Sequence, residues 1–511
     1  MTSAGIITDI FNKSFRRILS LAILSFFATA MMMSAPESDN PDDISSISYK
    51  AETRASFAGG ENTPFWLVSN IHGLGSPEFN NGYVRGEVTK SLNESKKFDW
   101  GAGADISLGW NLPSVLGIRQ LYADMHYKRL YVSLGSKNFD PTYNDMRLSS
   151  GDLLFSGNAI AIPQLRVGTL GFAPVWGTKG WFFIKAYLSY GKFTDSGWQK
   201  KWVVPGGERS QGVLFCGRGL WFRVGNVETF PMTVDLGIEM GTQFAGTVYK
   251  GGKPIRLAHG FIDWIKAFIP LSANSSAPIG EQTNVQGNMT GEYNFSINYA
   301  PNPNWNLKFY WDHYFEDHSQ MFLEYGFWKD GLFGFEVEFP KNRYVDKLVV
   351  EYVKTTDQTG AVNNDYTPEV PHQVSGRDNY YNHYLYNCWQ TWGMSIGTPL
   401  AISPLYNRNH ILRIFNTRFK AFHIGFEGTP VKNLRYRMLL TFSQNWGTYW
   451  HPLSSRMDNC SGLVEIDYSP RFFKGFFAKA SIAWDKGKLL GNNFGGMFTF
   501  GYEGNVKFKK K

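Results

Sequence analysis

Residues 100–110 read WGAGADISLGW. In an extended chain Trp100, Ala102, Ala104, Ile106, Leu108 and Trp110 share one face, while Gly101, Gly103, Asp105, Ser107 and Gly109 share the other. The apolar face starts and ends in Trp. Strict alternation over this length exceeds the usual soluble strand of about five or six residues. It matches the ~10-residue strand that crosses a bilayer with an aromatic at each interface.

The pattern recurs along the chain. Trp305, Leu307, Phe309 and Trp311 alternate with Asn306, Lys308 and Tyr310. Leu434, Tyr436, Met438, Leu440 and Phe442 alternate with Arg435, Arg437, Thr441 and Ser443. Phe182 to Ser189 and Ala478 to Asp485 repeat it. One face suits lipid and the other carries charge. An open sheet edge in hydrocarbon would leave backbone groups unpaired, so such strands must close into a barrel. Candidate strands run from 83–92 to 494–508, with 320–328, 391–398 and 410–427 among them. Their number predicts an all-β, antiparallel transmembrane barrel of roughly 16–20 strands.

The bulk composition agrees. Aromatic residues make up 16% of the 511-residue chain, Gly contributes 53 residues, and only 18% of residues are charged. Mean hydropathy is −0.28 and no later segment has the ~20 unbroken apolar residues of a membrane helix. The formal charge of +8 is spread out, apart from Lys509–Lys511, and reads first as solvated surface. Cys216, Cys388 and Cys460 show no metal-binding spacing, and with an odd number at least one thiol stays unpaired within the chain. At the start, Lys13, Arg16 and Arg17 precede the apolar run Ile18–Ala30, with Ala28-Thr29-Ala30 as a cleavage site. Residues 1–30 therefore read as a secretory signal peptide, 31–48 as a flexible leader and 49–511 as the barrel.

Short turns such as Pro301–Asn304 alternate with long connections at 139–163, 193–211, 246–290, 356–390 and 447–459. The stretch Leu148–Gly168, LSSGDLLFSGNAIAIPQLRVG, is too apolar to hang in water and is expected to pack inside the barrel. Between Arg256 and Ile269, Leu257, Ala258, Phe261, Ile262, Ile265 and Phe268 share a helical face that ends at Pro270. That helix is expected in or under the lumen as part of a plug, or lying over a loop.

No catalytic or cofactor signature is present: no GxSxG, P-loop, HExxH or post-strand GxGxxG. His313 and His318 flank acids in WDHYFEDH without a recognised metal spacing. Glu336 and Glu338 share a strand face, which is ordinary for lumenal carboxylates. Two patches point instead to binding. Gln120, Tyr122, Asp124 and His126 form a polar row beside Arg119, suited to sugar hydroxyls or to a structural hydrogen-bond network. The stretch Asp378–Asn387, DNYYNHYLYN, carries Tyr and Asn at the density of sugar-contact loops, where rings stack on pyranose CH faces and amides bond hydroxyls.

These segments taken in order resemble the capsule assembly protein Wzi family of Gram-negative outer membranes, in its Bacteroides-type form. The likeness is carried by Gly117-Ile118-Arg119-Gln120-Leu121-Tyr122-Ala123-Asp124, Leu148-Ser149-Ser150-Gly151, Ser156-Gly157-Asn158-Ala159 through Pro163, Asn379-Tyr380-Tyr381-Asn382-His383 and Gly393-Met394-Ser395-Ile396-Gly397. The resemblance implies an outer-membrane barrel of about eighteen strands with a plugged lumen. It also implies a lectin-like, non-enzymatic role in attaching capsular or other surface polysaccharide. The expected partners are that polysaccharide, outer-membrane lipid and the barrel-insertion machinery, with no cofactor and no nucleic acid. Expected glycan contacts are Arg377, Asn379, Tyr380, Tyr381 and His383 in the loop, with Arg119 and Tyr122 in the wall. The rival reading is an open diffusion channel for oligosaccharides or other small solutes.

Overall fold

The computed structural model describes residues 44–269, 286–316, 328–340, 342, 344–361 and 375–509. The expected signal peptide, most of the leader, residues 320–327 of the strand expected at 320–328, His318 and residues 362–374 of the long loop lie outside the described residues.

Eighteen antiparallel strands close into one barrel. In chain order they are β1 (Ile44–Gly59), β2 (Gly82–Lys90), β3 (Phe98–Trp110), β4 (Leu116–Tyr127), β5 (Leu130–Ser136), β6 (Gln164–Thr169), β7 (Phe182–Lys192), β8 (Leu214–Val224), β9 (Met232–Phe244), β10 (Asn288–Asn302), β11 (Trp305–Glu316), β12 (Gly331–Glu338), β13 (Lys347–Lys354), β14 (Arg418–Val431), β15 (Leu434–Gly447), β16 (Pro452–Tyr468), β17 (Phe476–Gly487) and β18 (Asn493–Lys509). Each pairs with its chain neighbours, and β1 pairs with β18 from Ile44↔Lys509 to Gly59↔Phe494. A two-residue strand, Ala173–Pro174, adds to the sheet beside β7. With the ring closed, the ladder leaves no edge to lipid.

The alternation read from the sequence sets the two faces. Trp100, Leu121 and Phe500 point outward at 50%, 54% and 58% exposure, and similar side chains surround the wall. An apolar belt of this extent needs lipid to cover it. The neighbouring inward positions Asp105, Asp235 and Glu351 are buried. Short connections lie at one end and the long insertions at the other, which places the insertions outside the cell and the turns in the periplasm.

Four sequence expectations change. The leader predicted to end at Ser48 gives way to strand at Ile44, because these residues pair with the end of β18 and close the ring. The segment 391–398 is not wall. Trp392 (φ 53°) and Gly393 (φ 78°) turn it into a hairpin of Gln390–Thr391 with Met394–Ser395, and the strand expected at 410–427 begins only at Arg418. The third concerns the helix expected in or under the lumen, or lying over a loop.

Among the described residues three short α-helices occur, α1 (Phe65–Val68), α2 (Ser196–Trp202) and α3 (Phe261–Phe268). α3, within the insertion expected in the lumen or periplasm, lies against the outer face of the wall. Trp264 packs on Tyr190 and Phe244 at 4.9 and 5.5 Å, while Phe261, Ile262 and Phe268 are exposed. The outer wall there is itself apolar, with Leu188, Leu214 and Cys216 beside Ala267, and it draws the Trp264 side of the helix inward.

The fourth concerns Arg119, expected as a glycan contact in the wall. Strict alternation from Tyr122 and Gln120 would turn it to lipid. A β-bulge opposite Asp105–Ile106 shifts the register, so Arg119 is buried in the interior with Gln120 facing the lumen beside it. The three cysteines are free thiols.

Candidate functional site

The lumen is occupied by loops. Leu148, Leu153 and Leu154 from the stretch before β6 are fully buried, in one apolar cluster with Phe65–Val68 of α1 and with Tyr380, Tyr381 and Trp389. The wall presents small and apolar inward residues to them, among them Val349, Val353, Ala421, Leu439 and Ala483. Burial of this surface drives the loops inward. At Gly425 a Cβ would overlap the Leu148 carbonyl, so glycine is needed where the plug meets β14.

Buried wall carboxylates hold the plug backbone. Glu351 on β13 accepts the Ser150 N–H at 2.7 Å and the Ser149 hydroxyl at 2.6 Å. Glu292 on β10 accepts the Leu154 N–H at 3.1 Å, Asp485 on β17 the Phe65 N–H at 3.0 Å, and Glu316 on β11 the Tyr381 N–H. His423 Nε2 donates to the Leu148 carbonyl at 2.7 Å, while Trp66 Nε1 donates to Thr441 at 3.2 Å. Buried acids satisfied in this way are costly to unpair. Asp152 in the plug loop sits among them. Its Oδ1 accepts the Leu154 and Phe155 N–H groups at 2.8 Å, and burial with Glu239 nearby pushes its carboxyl up to about 7.

The sequence-predicted contacts do not converge on one surface. Tyr380 and Tyr381 are both 0% exposed. They pack on Tyr314, and the Tyr381 hydroxyl donates to the Leu153 carbonyl at 2.8 Å. Buried in this way, they build the plug and present no ring to solvent. His383 is half-buried against Tyr384 and Tyr386, and its Nδ1 accepts the Leu385 N–H at 3.1 Å. Burial and the nearby Lys250 hold its imidazole neutral, down to about 3. Asn379 accepts the Asn382 amide at 3.1 Å, and Arg377 is exposed with its guanidinium 5.6 Å from the Tyr449 ring. Arg119 donates from Nε to Ser107 at 2.9 Å and from Nη1 to the Gly73 carbonyl at 3.0 Å, tying β4 to the loop after β1. Tyr122 lines the lumen with the Lys137 ammonium 4.8 Å from its ring. The exposed ring of the Tyr/Asn loop is Tyr384, with Lys250 5.8 Å above it. Glu336 and Glu338 are bridged by Lys347 at 3.2 and 2.8 Å, a structural ion network.

The surface that does converge is a cleft at the extracellular end, of about 190 Å³. It is lined by the aromatic pair Trp202 and His410 together with Glu61, Asn62, Asn407 and Arg408. The Trp202 ring stacks on Trp198 at 5.2 Å and 22°, and His410 lies 4.9 Å away on a ring. The His410 Nδ1 is 2.7 Å from the Trp202 carbonyl, so that nitrogen carries the proton and donates. Asp195 fixes α2 to the plug: its Oδ2 accepts from Gln199, Gln390 and the Trp392 N–H, each at 3.1 Å. Gly393, at positive φ, lets the Trp198 ring and Leu405 close over the hairpin. Arg408 and Glu61 face each other at 3.7 Å and are largely solvated. An aromatic pair with amide, carboxylate and guanidinium groups beside it can stack a pyranose and bond its hydroxyls. The sequence signal for this cleft is WQKKW at 198–202, two Trp one helical turn apart inside a long connection.

No protein-family model matches the chain, and no curated protein matches it by sequence. Among solved structures it is similar to Wzi, an outer-membrane protein involved in group 1 capsule assembly in Escherichia coli and a carbohydrate-binding β-barrel. The TM-score is 0.55 at 11% identity, over 90% of this chain and 85% of that one. OprD of Pseudomonas aeruginosa aligns at a TM-score of 0.44 and 9% identity, over 92% and 98%. OccK3 of the same organism aligns at 0.45 and 11%, over 90% and 96%. At these identities the likeness is one of fold: this chain is an integral outer-membrane β-barrel.

Proposed function

We propose that this protein is a lectin-like outer-membrane barrel that binds surface polysaccharide, of capsular or related type, and holds it at the cell surface. The observation that carries the reading is the filled lumen. Its loops are anchored through backbone amides to buried wall carboxylates, and the result is a rigid platform under the Trp202–His410 cleft. A polymer engages such a cleft repeat after repeat, so modest contacts on many copies sum to firm retention. The sequence resemblance to the Wzi family and the structural likeness to Wzi support the same role.

A second reading, a diffusion channel, draws on a cavity of about 270 Å³ between the plug and the wall of β1, β2 and β15–β18. Its charges are largely paired, as in Lys50–Glu52 at 2.9 Å and Arg437–Glu465 at 2.8 Å. The two readings separate in cells. Deleting the gene is expected to move surface polysaccharide from the cell fraction to the medium, and restoring a Trp202→Ala variant is expected to leave it there. Unchanged retention in the deletion strain contradicts the attachment role.

A further inference from the structure

A second recess lies inside the wall, between β6–β9 and the plug segment Lys137–Thr142. It encloses a cavity of about 100 Å³ and spans about 780 Å³ with its open mouth. Arg166 on β6 projects into it. Its guanidinium lies between two rings, 3.9 Å from the Phe139 centroid and 3.4 Å from that of Tyr187. Tyr187 stacks in turn on Trp221, and Lys185 lies 4.8 Å over that indole.

Sandwiching of this kind fixes a guanidinium plane without using its N–H groups. Among the described residues the contacts of the Arg166 guanidinium are these two rings, with no side-chain hydrogen bond or ion pair to it. The nearby cations differ. Lys137 is paired with Asp124, and Lys185 donates to the Thr142 hydroxyl at 3.1 Å. Two carboxylates border the recess. Glu239 is engaged by the Tyr187 hydroxyl at 2.5 Å, and Asp140 is exposed. Arg166 is therefore held between the two rings in the lining of the recess, with its N–H groups unused by the folded chain.

From this geometry we infer that the Arg166 recess is a binding subsite for the carboxylate of an acidic sugar. The fork of N–H groups takes the carboxylate in two parallel bonds, and the Phe139 and Tyr187 edges border the space the pyranose ring fills. The choice of a sugar rests on the glycan-binding reading above; the anion site itself does not.

The test uses the full chain purified in detergent, titrated by calorimetry with galacturonate, galactose, acetate and inorganic phosphate. Arg166→Gln and Arg166→Lys are the variants. Neither removes a hydrogen bond of the folded chain, and an unchanged heat-modified band shift in gels confirms the barrel. The expected result is galacturonate binding that weakens roughly tenfold or more in both variants, with galactose silent and with acetate and phosphate weaker than galacturonate. Arg166→Lys keeps the charge and loses the fork, so its loss of affinity separates recognition from simple attraction. Galacturonate binding unchanged in Arg166→Gln overturns the site. Phosphate or acetate binding as tightly as galacturonate overturns the sugar assignment. Galactose binding equally well overturns the role of the carboxylate. The retention assay with Trp202→Ala reads the glycan function separately, so failure of one does not imitate failure of the other.

Discussion

Glu351 on β13 accepts the backbone N–H of Ser150 at 2.7 Å, two hundred and one residues earlier in the chain. The same carboxylate also takes the Ser149 and Tyr310 hydroxyls. A lumenal acid that would face water in an open pore instead holds the plug against the wall. Replacing Glu351 with Ala leaves these donors unpaired in a dry interior, which costs about 2–4 kcal/mol. Glu351→Gln keeps an acceptor and costs less. Urea unfolding in detergent checks the order, and equal stability of the two variants contradicts it.

The plug carboxyl of Asp152 predicts a pH effect. In the folded chain its proton is held up to about 7 by burial and by Glu239, with Glu292 and Asp312 also facing it. In the unfolded chain an Asp ionises near 3.9. The folded state thus binds the extra proton between these values. Its contribution to stability is complete below about pH 4 and is lost as pH rises through about 7. Asp152→Asn keeps an oxygen for the Leu154 and Phe155 N–H groups and removes its share of the titration, leaving that of Glu292 and Asp312. Thermal melts from pH 5 to pH 8 are expected to show a shallower pH dependence in the variant, and an unchanged pH slope contradicts the assignment.

Tyr381 and Tyr384 should part company. Tyr381→Ala opens a cavity in the plug and is expected to destabilise the barrel by about 3–5 kcal/mol. Tyr381→Phe, losing only the bond to Leu153, should cost about 1 kcal/mol. Tyr384→Ala, at an exposed ring, should leave stability within about 0.5 kcal/mol. Denaturant midpoints for the three variants check this ranking.

The cleft makes its own prediction. Trp202→Ala removes the stacking ring and Arg408→Ala one lining charge, and neither touches a plug anchor. Both variants are expected to keep the wild-type melting behaviour within a few degrees. Pull-down of purified surface polysaccharide should fall steeply in Trp202→Ala and modestly in Arg408→Ala. Wild-type capture by Trp202→Ala places the glycan elsewhere.

Much of the wall was legible because alternation is local. Trp100–Trp110 alone gives the facing of β3, and the turn at Pro303–Asn304 marks where β10 reverses into β11. The inward position of Arg119 depends on a bulge set by pairing with β3, which no single strand reveals. Tyr380 and Tyr381 carry the composition of a sugar loop, yet composition is silent on burial, and Tyr314 and Leu153 claim them. The apolar stretch around Leu153 was readable as a plug because its surface had nowhere else to go. The cleft was not readable as a unit, since Glu61, Trp202 and Arg408 come from three loops that meet only when the barrel closes.

The central claim is that the lumen is filled by its own loops and closed to ion flow. Single-channel recording of the purified full chain in planar bilayers tests it most directly. The account predicts a quiet membrane, with steady steps absent in the native chain and brief openings emerging in Glu351→Ala. Large, long-lived ohmic steps from the native chain would contradict it.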